Sequence, residues 1–138
     1  MIVEYSITQA AKKMQLTTYT LRYYDREGLL PSISRTKAGN RVFTEADLDM
    51  LLVVCCLKNT GMPIKEIKQF TDWQNEGDHT LHARQDMLLK HKEDVLKQME
   101  DLKENLRLLD HKLDYYHNAC HAYDAGLPIP SCCETCKN

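Results

Sequence analysis

The sequence predicts a mainly α-helical chain in three parts: a small helical domain carrying a basic hairpin, one long helix, and a cysteine-rich tail. Three observations predict this. Two short, capped helices are joined by a tight turn near the front. Apolar residues recur every seven positions through most of the back half. Four of the six cysteines, Cys120, Cys132, Cys133 and Cys136, come late in the chain.

The first helix is expected from Ile7 to about Met14, because Ser6-Ile7-Thr8-Gln9 has the spacing of a capping box. Ile7, Ala10, Ala11 and Met14 give it one apolar face. After Gln15-Leu16, Thr17 can cap a second helix from Thr18 to Glu27, and Gly28 ends it by accepting a left-handed backbone. Its face carries Tyr19, Arg22, Tyr23 and Arg26, all long donors suited to an acidic partner. Such a pair forms a helix-turn-helix, whose second member can enter a DNA major groove; a plain helical hairpin in a small core has the same pattern.

Ala38-Gly39-Asn40 is turn chemistry between two short stretches with β-branched or aromatic residues, so a small hairpin is expected with Arg35, Lys37 and Arg41 near its tip. Cations there can lie against phosphates and fix register without reading sequence. Thr44-Glu45-Ala46-Asp47 opens a third helix with Leu48, Leu51, Leu52, Cys55 and Cys56 along its apolar stripe, and Gly61 stops it. Pro63 suits the first turn of a fourth, Ile64 to Trp73, with Ile64, Ile67 and Phe70 closing the core.

Gln74 to His79 is polar and contains a glycine, which reads as a break. Beyond it a helix of roughly forty residues, about 60 Å long, is expected from Thr80 to about Ala122. Leu88, Val95, Leu102, Leu109, Tyr116 and Tyr123 repeat every seven, with Met99, Leu106, Leu113 and Cys120 between them. A seam this long has nothing to bury against in a monomer, so a two-chain coiled coil is expected; folding back on its own domain is the alternative. The expected organisation is therefore 1–74, a linker at 75–79, a dimerisation helix at 80–122 and a flexible tail at 123–138.

Charge agrees with this division. Residues 1–70 hold 10 Lys+Arg against 7 Asp+Glu, a net +3, and the remainder hold 8 against 13, a net −5, together the −2 of the whole chain. A polyanion would meet the front half. No apolar run is long enough to span a bilayer and no export leader is present, so a cytoplasmic location is expected, with cysteines as free thiols or metal ligands.

Ser6-Ile7 with Ala10-Ala11, the run Thr20-Leu21-Arg22-Tyr23-Tyr24-Asp25, Gly28-Leu29-Leu30-Pro31, Arg41-Val42-Phe43, and Gly61-Met62-Pro63-Ile64-Lys65-Glu66-Ile67 resemble the MerR family of bacterial transcription regulators. The resemblance implies a winged helix-turn-helix, an antiparallel coiled-coil homodimer, and binding to palindromic double-stranded promoter DNA. It also implies an effector switch that twists the DNA until RNA polymerase can engage, a form of indirect readout. By position it implies that Thr18, Tyr19 and Arg22 approach base edges while Tyr23, Arg35, Lys37 and Arg41 hold phosphates.

Two cysteine constellations compete for the signal. The segment around Cys56, with Glu76-Gly77-Asp78 and the long helix, resembles the NmlR/AdhR-like branch, which answers reactive aldehydes and related electrophiles; by position Cys56 matches the single cysteine associated with that branch. A thiol must ionise to attack an electrophile, although cysteine in an apolar helix also serves as inert packing. The other constellation is His117-x-x-Cys120-His121 with Cys132, Cys133 and Cys136, suited to zinc or another soft metal ion, and a metal-responsive regulator is the alternative reading. Metal-sensing relatives place their cysteines closer together than Cys120 and Cys132, which favours a reactive tail with no required cofactor. A coiled-coil protein-interaction module is the reading from another class. No Gly-rich phosphate loop or nucleophile elbow is present, so an enzyme is not expected.

Overall fold

The first three helices each begin on a hydroxyl. In the computed structural model, which describes residues 2–132, α1 (Ile7–Met14) starts from Ser6 in a complete capping box: Gln9 N–H donates to Ser6 Oγ at 3.2 Å and Ser6 N–H to Gln9 Oε1 at 2.9 Å. It buries Ala10 and Ala11, small enough for close approach of its neighbour. Gln15 ends it with φ of 56°, a left-handed conformation uncommon for a residue with a Cβ. Thr17 then caps α2 (Thr18–Arg26), accepting from Thr20 N–H at 3.1 Å.

Gly28, at φ +77°, turns the chain out of α2. A Cβ there would lie 2.9 Å from Lys68 Cε, the far end of a flexible side chain that can move aside, so it is the backbone angle that favours glycine. Leu29 and Leu30 follow directly into the core.

The hairpin forms from β2 (Ser34–Arg35) and β3 (Arg41–Thr44), and a further strand, β1 (Glu4–Ser6), pairs antiparallel with the other side of β3. The sheet order is β1-β3-β2, with Tyr5 opposite Phe43. The Tyr5 hydroxyl donates to the Glu45 carboxylate, and this bond, ahead of partial desolvation, raises the phenol above its usual range. Nothing local in Glu4-Tyr5-Ser6 marks a strand, because its partner lies some forty residues away.

α3 (Glu45–Asn59) starts from a second capping box, Thr44 with Asp47, and the nearly buried Asp47 also accepts from Ser32 Oγ at 2.7 Å. Its buried face is Leu48, Leu51, Val54 and Leu57. This corrects the expected stripe: Leu52 and Cys56 are exposed, and Cys55 is half-buried. Met50 to Leu57 is unbroken apolar sequence, so periodicity cannot select a face there; packing does.

α4 (Ile64–Glu76) begins after Pro63 and runs three residues past the expected Trp73. It buries Ile67, Phe70 and Thr71, while Ile64 stays at the core margin. Gly77 and a short 3-10 turn, Asp78–Thr80, then lead into α5 (Leu81–Asp124). The corner is hydrogen-bonded: Thr80 Oγ1 lies 2.7 Å from the carbonyls of both Trp73 and Gly77, and Arg84 Nε donates to Thr80 Oγ1 at 3.0 Å.

The chain divides into two compact units, the first ending at His91 and the second starting at Lys92. In the second, Gly126 at φ +69° closes α5, and the following segment turns back on the helix end. There the Tyr115 hydroxyl donates to the Pro130 carbonyl at 3.1 Å, and Lys112 Nζ donates to Cys132 Sγ at 3.0 Å.

Candidate nucleic-acid interface and the cysteines

α2 is packed through Leu21 and Tyr24, which turns its other side outward. Tyr19 is 70% exposed and Arg22 is exposed, with Thr18 half-buried beside them. Arg22 lies one turn after Thr18, their nearest polar atoms 3.5 Å apart. Tyr23 is half-buried, its ring tilted against Tyr24 at 6.0 Å, so it shares in the packing that seats the helix. Thr18, Tyr19 and Arg22 thus sit on the first two turns of α2.

The basic residues of the hairpin behave differently from one another. Lys37 is exposed in the turn. Arg35 donates through Nη1 to the Gly39 carbonyl at 2.9 Å and through Nη2 to Asp25 at 3.3 Å. Arg41 donates through Nε to the same Asp25 Oδ2 at 2.7 Å, and its side chain is only 17% exposed. Sequence reasoning named both arginines and missed Asp25, the α2 residue that joins them. The signal was one acidic side chain among donors, at the end of Leu-Arg-Tyr-Tyr-Asp.

Cys56 lies exposed on α3 near its C-terminal end. Its carbonyl accepts from Thr60 Oγ1 at 2.6 Å, and the same hydroxyl lies 2.7 Å from His91 Nε2. Cys55 is half-buried, and burial pushes its thiol above the usual range, which suppresses the thiolate.

Of the tail ligands, Cys120 and Cys132 are exposed, whereas Cys133 and Cys136 lie outside the described residues. His117 and His121 stack edge-on at 4.7 Å beside Cys120. Among the described residues no three metal-ligating side chains gather. No helix among them is long and apolar enough to cross a membrane.

Comparison with known proteins places the chain in a family. The family model described as MerR HTH family regulatory protein matches residues 5–72, and that described as MerR, DNA binding matches residues 48–112. An HTH-type transcriptional regulator of Haemophilus influenzae is 44% identical over 115 residues, covering 83% of this chain and 85% of that protein. The HTH-type transcriptional regulator AdhR of Bacillus subtilis is 39% identical over 83 residues, 60% of this chain and 59% of that protein. Among solved structures, HiNmlR, a MerR family regulator lacking the sensor domain and bound to promoter DNA, superposes with a TM-score of 0.80 at 41% identity, covering 91% of this chain and 97% of that one.

Proposed function

The chain belongs to the MerR family of helix-turn-helix transcriptional regulators, and from that premise we propose that it binds a palindromic promoter as a homodimer and switches transcription when Cys56 meets a reactive electrophile or oxidant. Its relatives are regulators, not enzymes. The observation that carries the DNA reading is the exposed Tyr19–Arg22 face of α2 beside a basic wing, in a chain 41% identical to a regulator solved on promoter DNA. In this reading Thr18, Tyr19 and Arg22 reach base edges, and Tyr23, Arg35, Lys37 and Arg41 hold phosphates. Two such units joined by α5 set the half-site spacing, and the energy of distorting the intervening DNA supplies the switch through which RNA polymerase engages.

The test is fluorescence anisotropy on a duplex selected by the chain from a random-sequence library. Arg22→Ala is expected to weaken binding by about 1–3 kcal/mol and relax sequence preference, whereas Lys37→Ala weakens all duplexes alike and lowers the salt slope by roughly one. Failure of the unaltered chain to select any duplex at low salt refutes the reading.

Exposure supports Cys56 as the sensor, as do its place beside the Thr60–His91 link and the AdhR and NmlR relatives. At neutral pH iodoacetamide is expected to alkylate Cys56 before Cys55, followed by mass spectrometry, because burial of Cys55 raises its thiol. In a transcription assay Cys56→Ser abolishes the response while Cys55→Ser keeps it; a response that survives Cys56→Ser and is lost on truncation after Gly126 moves the sensor to the tail.

A further inference from the structure

We propose that Asp25 is a positioning residue of the DNA interface, joining the recognition helix to the wing and holding Arg35 and Arg41 where phosphates can reach them. The inference rests on the DNA-binding reading above.

Asp25 occupies the last turn of α2, so it moves with the helix that would enter the groove. Arg35 and Arg41 face each other as register partners across the β2–β3 ladder, next to the turn. Like charges directly opposite in an antiparallel pair are destabilising, and β2 is only two residues long, with little ladder to resist them. The Asp25 carboxylate accepts from both guanidiniums through one oxygen, at 2.7 Å from Arg41 and 3.3 Å from Arg35. Arg35 reaches on from there to the Gly39 carbonyl of the turn, so one connected set of bonds runs from α2 to the wing tip.

The three charges sum to +1, leaving cationic character for a phosphate. A guanidinium carries five N–H donors in a planar fork; Arg41 meets Asp25 through Nε, which leaves its terminal nitrogens for a second acceptor. Asp25 and Arg41 are both largely shielded, at 20% and 17% side-chain exposure, which limits screening of that contact. Arg35, at 51%, is the more exposed cation and the more readily shared with DNA.

Charge and position predict opposite signs, which makes the proposal decidable. A carboxylate at a polyanion-binding face is unfavourable by Coulomb's law, so a residue acting through charge alone should tighten DNA binding when neutralised. A residue that positions the wing should weaken it.

The experiment measures Kd and its salt dependence for the full chain and Asp25→Asn on the duplex selected by the unaltered chain, with hydroxyl-radical footprinting of both complexes. Asp25→Asn is expected to weaken binding about tenfold and to lower the salt slope by roughly one to two. Protection should fade at the outer phosphates under the wing and persist at the major-groove contacts, a pattern that general loss of stability would not give. In an Arg35→Ala background the same substitution should cost less, because part of what it holds is gone.

Equal or tighter binding by Asp25→Asn overturns the proposal, as does uniform loss of protection. If the asparagine variant does not stay folded, Asp25→Glu carries the test. It keeps the charge and displaces the carboxylate, so weakened binding with loss at the outer phosphates supports positioning, and unaltered binding refutes it. An unaltered chain that selects no duplex refutes the DNA-binding reading instead, and the two failures are distinct.

Discussion

Phe43→Ala is expected to destabilise the front unit by about 3–5 kcal/mol, read as a fall in the urea midpoint at fixed protein concentration. Phe43 is fully buried and belongs to the single core cluster that also holds Leu21, Leu29, Leu51 and Ile67. It lies in β3, the central strand, opposite Tyr5 of β1. Removing its ring therefore opens a cavity and loosens the strand that carries Arg41 into the wing. Domains of this size are stable by about 5–15 kcal/mol, so the loss is a large share of the whole. Val42→Ala is the control: the neighbouring residue is half-buried, and its loss should cost about 0.5–1.5 kcal/mol. A Phe43→Ala cost no larger than that of Val42→Ala would show that the core does not depend on this ring.

With the homodimer proposed above, Leu102→Glu and Leu109→Glu together are expected to leave only monomer in analytical ultracentrifugation. Operator affinity should fall by about 10²–10⁴, the advantage two linked half-site readers have over one. Met99, Leu102, Leu106, Leu109 and Leu113 are all exposed on the second unit's part of α5, at four-three spacing. Each leucine gains about 1.5–3 kcal/mol when a partner covers it, so two charges in that seam oppose association strongly. Glutamate is a good helix former, and circular dichroism should show α5 intact. Lys97→Glu, off the seam, should change neither mass nor affinity more than slightly. A double variant that still sediments as a dimer would place the dimer contact elsewhere.

The elements written in neighbouring residues were legible from sequence. Ser6 with Gln9, Thr17 with Thr20, and Thr44 with Asp47 each satisfy helix-end donors within three residues, so the starts of α1, α2 and α3 follow from spacing alone. Gly28 and the α5 seam are similarly local: one is a backbone angle, the other a period. The family resemblance was equally readable, because the motif that carries it lies in the capped helix and the turns around it.

What tertiary structure decided lies between residues far apart in the chain. β1 exists because Tyr5 meets Phe43, and α3 turns Leu52 and Cys56 outward because Leu48, Leu51, Val54 and Leu57 pack better against the rest. Asp25 finds Arg35 and Arg41 only after the hairpin folds against α2, and Thr60 finds His91 only after the first turns of α5 come beside the end of α3. A sequence records which groups can pair across a turn of helix, since three or four residues fix that distance. It does not record which distant groups will meet, since that depends on loop closure and on the shape of the core they close around.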